Sequence, residues 1–599
     1  MILQALCEYY QRKSNSSEGM APEGFETKSI SFLVEYNKNG QFVALHDIRE
    51  KNGKKAIGKP YLVPSLPIGI KRVGTKIVPN LLWDSCDYSL GFSLQENGIN
   101  NDKLNAFIQE IILFNEKIHN YKLDALISFL QNNPFESLKK MATTNYGDAL
   151  DELKKSEKNI VGFTFEGDNL IPITTILAKE IALYRSQNDD IPSKSSICLV
   201  TGEKTKIARL HKSIPQWGGG MASLVSFQKD SGYDSYGKEQ AENAPVSTKV
   251  VSEYTKALDL LLNKQDFSHC EIGNTTVCFW SQKDDSVLEQ NFLNLFFEVK
   301  DNPDKNVLEV KQLFDSIKNG SKKIDLQNKF YILGLEPLSK GRAAVRFWYA
   351  ESYEQLLKKI NNYFNDISIN SGDNIYPLYL YLRSLVLESG TPPKRDLKKN
   401  IPPNLPGDLL RSILEGIPFP SRILNSVIIR IRAEISRDKD ERKRDLANQI
   451  DCCRIALLKA FLNRKQRFYK TTDKEITMSL DTTNKNTGYL LGRLFATLEK
   501  LQEEAQGGNL NSTIKDRYYG AASSTPCTVF PQLFKLKNFH LAKLSNPGRK
   551  TNFEKLIGEI TDGIPSEGIP AHLNLDDQAR FAIGYYHQRQ DLFKSKEEK

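Results

Sequence analysis

A glycine-, aromatic- and amide-rich stretch at residues 207–247 has the side chains that nucleic-acid recognition needs. It reads IARLHKSIPQWGGGMASLVSFQKDSGYDSYGKEQAENAPVS and lacks helical or strand periodicity. Consecutive glycines let backbone N–H groups approach a phosphate or a base edge, because no Cβ intervenes. Basic side chains bind phosphates, aromatic rings stack on bases, and amides pair with base edges. The candidates in this stretch are Arg209, His211, Lys212, Trp217, Gly218, Gly219, Gly220, Ser226, Gln228, Lys229, Tyr233, Tyr236, Lys238, Gln240 and Asn243.

The same stretch also has an ordinary structural explanation, a glycine-hinged surface loop whose aromatic rings fold inward. Catalysis fits it poorly, because WGGGMAS lacks the Gly-x-x-x-x-Gly-Lys-Ser/Thr order of a P-loop. The chain has no His-Glu-x-x-His, no Gly-x-Ser-x-Gly and no carboxylate cluster suited to two-metal nuclease chemistry. We therefore expect a non-catalytic protein without metal or cofactor. The alternative is a metal-dependent nuclease or an RNA-processing enzyme.

The positive charge of the chain is concentrated in one segment. The 599 residues carry a formal net charge of +9, and residues 393–477 hold 20 lysines and arginines against 11 acidic residues. Such a surplus favours contact with a polyanion, nucleic acid above all, with a solvated helix face as the alternative. The candidates for contact with a DNA backbone or a displaced strand are Arg430, Arg432, Arg437, Arg442, Lys443, Arg444, Arg454, Arg464, Lys465 and Arg467.

The elements that must position these side chains change in character along the chain. In the first part, ISFLVEYNKNGQFVALHDIR predicts a hairpin around Asn-Gly, KLNAFIQEIILFNEKIH a helix, and IVGFTFEG and TTVCFWS strands. SSICLV predicts a short buried strand that leads into residues 207–247. A proline- and glycine-punctuated loop carries three more candidates for DNA contact, Lys71, Arg72 and Asn80.

A proline-rich basic connector begins near residue 392, and apolar residues at three-to-four spacing predict helices beyond it. A second, polar connector covers residues 470–487. The predicted fold class is α+β and multi-domain, with a mixed α/β N-terminal domain and an all-α C-terminal helical bundle. The predicted divisions are 1–392, a basic helical region over 393–477, and the bundle over 478–599.

Nothing in the sequence indicates a membrane protein. The apolar runs fall well short of the roughly 20 residues that cross a bilayer. The N-terminus, MILQALCEYYQRK, lacks a small-residue cleavage site, so we expect it to be the first helix of a cytoplasmic protein. The eight cysteines include no Cys-x-x-Cys pair and are expected to be mostly buried thiols.

Several long blocks resemble the large subunit of the type I-C CRISPR surveillance complex, Cascade, a Csd-type CRISPR-associated family. They are MILQALCEYY, PNLLWDSCDYSLG, CLVTGEKTKIARLH, WGGGMASLVSFQKDSGYDSYGKEQAENAPVS, GYLLGRLFATLEKLQEEA, DRYYGAASSTP and FAIGYYHQRQ, so the resemblance runs along the whole chain. It implies a subunit that is not a nuclease. Such a subunit recognises the protospacer-adjacent motif (PAM) in double-stranded DNA, helps to open the duplex, stabilises the R-loop and recruits a helicase-nuclease.

The resemblance also implies partners and assigns roles. The partners are the guide RNA, the target double-stranded DNA, the backbone subunits, the guide-processing subunit at the 5′ end, the small subunits and the helicase-nuclease. Motif reading and strand separation fall to residues 209–243 and to the loop at Lys71, Arg72 and Asn80. A purely structural scaffold that contacts only protein is a further alternative.

In this family the small subunit can be made by internal translation of the large-subunit gene. Met478, one of five methionines, stands just before the tail bundle and is the candidate internal start. Codons AAG-GAG for Lys474-Glu475 would place a ribosome-binding site a few nucleotides upstream. Coincidence is the alternative, because the dipeptide Lys-Glu is common.

Overall fold

The computed structural model of the chain divides into two compact units. One comprises Met1–Leu260 with Leu338–Ala343, and the other comprises Leu261–Pro337 with Ala344–Lys599. The predicted boundary at 392/393 lies outside the described residues, and the three-segment division stays a prediction. The described residues are 1–14, 20–52, 55–67, 76–94, 101–142, 147–187, 195–214, 217, 222–230, 232, 235–262, 268–285, 289, 292, 325–338, 342–369, 375–386, 400–435, 446–507 and 512–593.

The first unit mixes strands and helices. Its strands are β1 (Phe25–Ile30), β2 (Phe32–Tyr36), β3 (Phe42–Asp47), β4 (Glu50–Asn52), β5 (Lys55–Ile57), β6 (Lys59–Pro64), β7 (Trp83–Ser85), β8 (Ile160–Phe165), β9 (Ser195–Ile197) and β10 (Lys204–Lys206). Its helices are α1 (Ile2–Ser14), α2 (Cys86–Ser89), α3 (Asn101–Ile118), α4 (Tyr121–Gln131), α5 (Pro134–Ala142), α6 (Gly147–Lys154), α7 (Ile173–Ile176), α8 (Ala178–Gln187) and α9 (Thr248–Leu261).

A four-stranded sheet with the order β3-β2-β8-β7 organises this unit. β2 and β3 are antiparallel and form the predicted hairpin, whose turn uses Gly40 at a φ of 68°. β8 pairs in parallel with β2, and Phe163 on β8 packs on Phe107 of the predicted helix α3. The predicted strand SSICLV is wrong in one respect. β9 forms, but its three residues face solvent, and Ile197 is 60% exposed because, within the described ranges, β9 pairs with the short β10 alone.

The second unit begins with a sheet and continues as helices. Its strands, in the order β11-β12-β13-β14, are β11 (His269–Ile272), β12 (Thr275–Ser281), β13 (Lys329–Leu338) and β14 (Arg342–Ser352). Its helices are α10 (Tyr353–Ile367), α11 (Leu378–Ser384), α12 (Leu405–Glu415), α13 (Ser421–Ile435), α14 (Leu446–Tyr469), α15 (Thr487–Ala505), α16 (Ile514–Ala522), α17 (Pro526–Lys543), α18 (Pro547–Asp562) and α19 (Leu575–Phe593). The helices predicted in the C-terminal region are confirmed, and so is the α+β class.

One hydrophobic cluster joins the sheet of the second unit to its helices. Phe330 on β13, Leu356 on α10 and Leu457 on α14 belong to it, and so does Ile583 on α19. A second cluster lies among α15 to α19 and includes Phe495, which is fully buried. The burial of these apolar faces stabilises the helical region, because each helix has one apolar stripe to remove from water.

The cysteines are thiols that form no disulfide, and seven of them are buried while Cys527 is exposed, as expected. Across the described ranges, every helix is too short or too polar to cross a bilayer.

Candidate nucleic-acid interface

The stretch at residues 207–247 is a loop closed at its base. Ile207 and Ser247 form an antiparallel bridge, and the Ala208 N–H donates to the Val246 carbonyl oxygen at 2.9 Å. The loop therefore leaves and returns at one point, immediately before α9. A closed base of this kind holds a long loop in place without regular secondary structure within it.

A second closure ties the first third of the loop to the rest of the unit. The Ile214 N–H donates to the Ala222 carbonyl oxygen at 2.7 Å, and Ser223 forms a parallel bridge with Arg342. Trp217, within this closure, is 9% exposed, so its ring packs inward and is not an open stacking platform. Gly218, Gly219, Gly220 and Tyr233 lie outside the described residues.

His211 is a core residue, which corrects the prediction that it contacts DNA. It is 4% exposed, and its Nδ1 lies 2.7 Å from the Tyr254 hydroxyl oxygen. Burial lowers the pKa of His211 to about 4, so the imidazole is neutral near pH 7. A neutral, enclosed ring attracts no phosphate.

Two other predicted contacts are engaged within the chain. Lys212 Nζ lies 2.9 Å from Glu26 Oε2, with both side chains partly exposed. Asn80 is 6% exposed, and its backbone N–H donates to Asp84 Oδ2 at 2.8 Å, so the prediction that it reads DNA is corrected. Lys71 and Arg72 lie outside the described residues.

Three of the predicted residues contact one another. Arg209 Nη1 donates to Gln240 Oε1 at 2.6 Å, and Asn243 Nδ2 donates to the Gln240 carbonyl oxygen at 3.0 Å. Arg209 is exposed, while Gln240 and Asn243 are partly exposed. The group presents guanidinium and amide donors together, which suits contact with phosphates and base edges.

The tip of the loop exposes an aromatic ring. Tyr236 is 100% exposed and has a φ of 55° and a ψ of 33°, the left-handed conformation. Asp230 and Gln240 also have positive φ, at 56° and 47°. Left-handed backbone costs a non-glycine residue about 1–2 kcal/mol. Ser226, Gln228, Lys229 and Lys238 of the same loop are exposed as well, and we refer to these four residues with Tyr236 as the tip of the loop.

Sequence reasoning missed one cationic neighbour of this loop. Arg342 is exposed, and its bridge to Ser223 places it at the second closure. This contact is not evident from the sequence, because Arg342 is remote from residues 207–247 along the chain.

Lys229 forms an ion pair at the surface of the loop. Its Nζ lies 3.5 Å from Glu239 Oε2, and both side chains are exposed, so water and salt weaken their attraction.

Three of the arginines predicted to contact a DNA backbone or a displaced strand are buried in the second unit. Arg430, Arg454 and Arg464 are 6%, 3% and 4% exposed. Arg430 pairs with Glu434, and Arg464 Nη1 lies 2.9 Å from the buried Asp366. For these three the prediction of DNA contact is corrected, since a guanidinium enclosed with its carboxylate has no face left for a phosphate.

The other residues of that set have mixed outcomes. Arg432 Nη2 donates to Gln578 Oε1 at 2.9 Å, and Lys465 Nζ lies 2.5 Å from Asp576 Oδ2. Arg467 pairs with Asp366 and, at 3.0 Å, with Glu475, while its side chain is 42% exposed. The remaining predicted positions, Arg437, Arg442, Lys443 and Arg444, lie outside the described residues.

The parts of the chain that the structure describes hold no group of three or more His, Cys, Asp or Glu side chains placed to bind a metal ion.

Comparison with known proteins identifies the family of this chain. The family described as CRISPR-associated protein (Cas_Csd1) matches residues 6–593. No curated protein matches the chain with significance. Because the match covers nearly the whole sequence, the resemblance to a Csd1-type large subunit is confirmed. The chain belongs to the Csd1 family of CRISPR-associated proteins.

Proposed function

We propose that this chain is the non-catalytic large subunit of a type I-C Cascade in the cytoplasm, and that residues 222–243 read the PAM of double-stranded target DNA. One observation carries the proposal, the fully exposed Tyr236 ring on a left-handed backbone in a loop that also exposes hydrogen-bond donors. Strain of this kind at a residue that adds nothing to the core is typical of a ligand contact. Family membership supports the same assignment.

The chemistry of the tip fits a short duplex motif. Gln228 and Lys229 donate to base edges in a groove, while Arg209 and Lys238 contact the flanking phosphates. The Tyr236 ring then inserts at a base step or stacks on an opened base, which aids duplex opening. The guide RNA reads the rest of the target by base pairing, so the protein needs to recognise only the short motif.

The other parts of the proposal concern the assembly. The chain binds the guide RNA together with backbone, guide-processing and small subunits, stabilises the R-loop, and recruits the helicase-nuclease. Of the cations first assigned to the displaced strand, the described ones still available are Arg432, Lys465 and Arg467, because each is partly exposed.

The purified protein with guide RNA, Mg²⁺ and end-labelled duplex tests this function. The expected result is binding that depends on the PAM and leaves the DNA uncut. Site-specific cleavage that disappears when one carboxylate is replaced would instead establish a metal-dependent nuclease. Assembly that is insensitive to salt, with no affinity for DNA, would establish a scaffold.

A further inference from the structure

The second unit has an exposed basic helix face that is not part of the loop at residues 207–247. Residues 517–553 contain six lysines and arginines and no aspartate or glutamate. Within this run lies α17, on which Lys535, Phe539 and Lys543 stand four residues apart. Residues four apart share one face of a helix, so the three side chains form a row.

The orientation of this face is fixed by the opposite one. Val529, Phe530, Leu533 and Leu541 on α17 are buried, Phe530 and Leu533 fully. Rotating the helix to hide Phe539 would bring these four side chains into water. Phe539 is 67% exposed, and Lys535 and Lys543 are exposed on either side of it.

The cations of this face differ from those of α14. Lys465 and Arg467 on α14 have carboxylate partners. Among the described residues, neither Lys535 nor Lys543 forms an ion pair, and the acid-free run leaves no carboxylate nearby in sequence. Their positive potential is therefore not cancelled locally and is available to an anionic ligand.

We propose that Lys535, Phe539 and Lys543 form a binding site for single-stranded nucleic acid. The two ammonium groups contact phosphates, and the Phe539 ring stacks on the base between them. The Cα atoms of the two lysines are about 12 Å apart along the helix. A row that alternates charge, flat apolar ring and charge complements a strand of nucleotides, because each nucleotide carries both a phosphate and a base that can stack. The site does not rest on the proposed PAM reading, which belongs to the first unit.

Binding of the full-length protein to fluorescein-labelled oligothymidylate and oligouridylate, measured by anisotropy over a salt series, tests the site. Phe539→Ala is expected to weaken binding by about tenfold or more with an unchanged salt slope. The double variant Lys535→Gln with Lys543→Gln is expected to reduce the salt slope by about 1.4, from about 0.7 for each phosphate contact on a single strand. The two oligonucleotides show whether the site prefers DNA or RNA.

Lys555→Gln is the matched control, an exposed lysine on the neighbouring α18 that stands beside Glu554. It should leave both affinity and slope unchanged. Affinities of the α17 variants within about twofold of wild type would overturn the proposal. Equal losses in the Lys555→Gln control would overturn it too, as would α17 variants that keep oligonucleotide affinity and lose only a protein partner.

Discussion

Gly492 on α15 lies so close to Phe581 on α19 that a Cβ at position 492 would overlap the Phe581 carbonyl oxygen. The contact is repeated one turn away, where a Cβ on Gly584 would overlap the backbone of Tyr489. Two helices approach this closely only where glycine removes the side chain from both. The pair forms the centre of the C-terminal bundle.

Alanine at either glycine is therefore expected to destabilise the bundle by about 3 kcal/mol or more, because backbone atoms must separate to admit a methyl group. Chemical denaturation of Gly492→Ala and Gly584→Ala measures the loss. Gly558→Ala is the control, since this glycine lies within α18 with nothing within 4 Å of the added Cβ. It should stabilise the protein by up to about 1 kcal/mol. Equal effects at positions 492 and 558 would refute the close packing.

Because Asp366 and Arg464 form a buried ion pair, substitution of either residue is expected to reduce stability and not DNA binding. Removal of Asp366 leaves Arg464 enclosed without this carboxylate, and removal of Arg464 leaves the buried Asp366 paired with the more exposed Arg467. Loss of one partner of a buried pair costs about 3–5 kcal/mol. Arg464→Ala and Asp366→Ala should both lower the free energy of unfolding by this amount. Arg422→Ala, an exposed arginine on α13, should not. An Arg464→Ala protein of wild-type stability that has lost affinity for single strands would contradict the structural role.

His587 predicts a pH dependence of stability. Its Nδ1 lies 3.0 Å from the Tyr489 hydroxyl oxygen, and burial, followed by the charge of Lys459, lowers its pKa to about 4. The unfolded chain binds a proton below about pH 6.5 while the folded chain does not, so stability is lost as pH falls from 6.5 towards 4.

The expected difference between pH 7 and pH 4.5 is about 2–3 kcal/mol from this residue. Denaturation of wild type and His587→Gln at both pH values measures it, and the variant should lose less stability on acidification. His572→Gln, at an exposed histidine, should behave as wild type. Parallel pH profiles for wild type and His587→Gln would show that the ring does not titrate as described.

Met478 is predicted to start a second product, residues 478–599. It lies in the connector between α14 and α15, and its side chain is 38% exposed. Expression of the gene with a C-terminal tag should give a short product that Met478→Ala abolishes and Met141→Ala retains. A short product that survives Met478→Ala, or codons without a purine-rich GGAG-like sequence upstream, would refute the internal start.

The sequence predicts local structure well where one short pattern decides it. The Asn-Gly turn predicts the hairpin of β2 and β3, and three-to-four spacing predicts α17 and α19, since both signals act within a few residues. Burial is different, because it depends on partners that are remote in sequence. Arg464 meets Asp366 across 98 residues, and a count of charges assigns that arginine to DNA.

The candidate site shows the same division. Gln228, Lys229, Tyr236 and Lys238 are exposed, as the predicted contact with DNA requires, whereas His211 is enclosed beside Tyr254. The net charge of residues 478–599 is near zero, because acidic residues elsewhere in this segment offset the positive charge of residues 517–553. The net charge of the whole segment therefore does not indicate the acid-free run within it.

Substitution of Tyr236 tests whether this loop recognises the PAM. Equilibrium binding of PAM-containing and scrambled duplexes to the guide-loaded complex gives the discrimination ratio for wild type, Tyr236→Ala and Tyr236→Phe. Tyr121→Ala serves as the control, an exposed tyrosine elsewhere in the first unit. If Tyr236 reads or opens the motif, alanine lowers the ratio by about tenfold or more, phenylalanine retains most of it, and the control matches wild type. A Tyr236→Ala complex that discriminates as well as wild type would show that Tyr236 does not recognise the PAM.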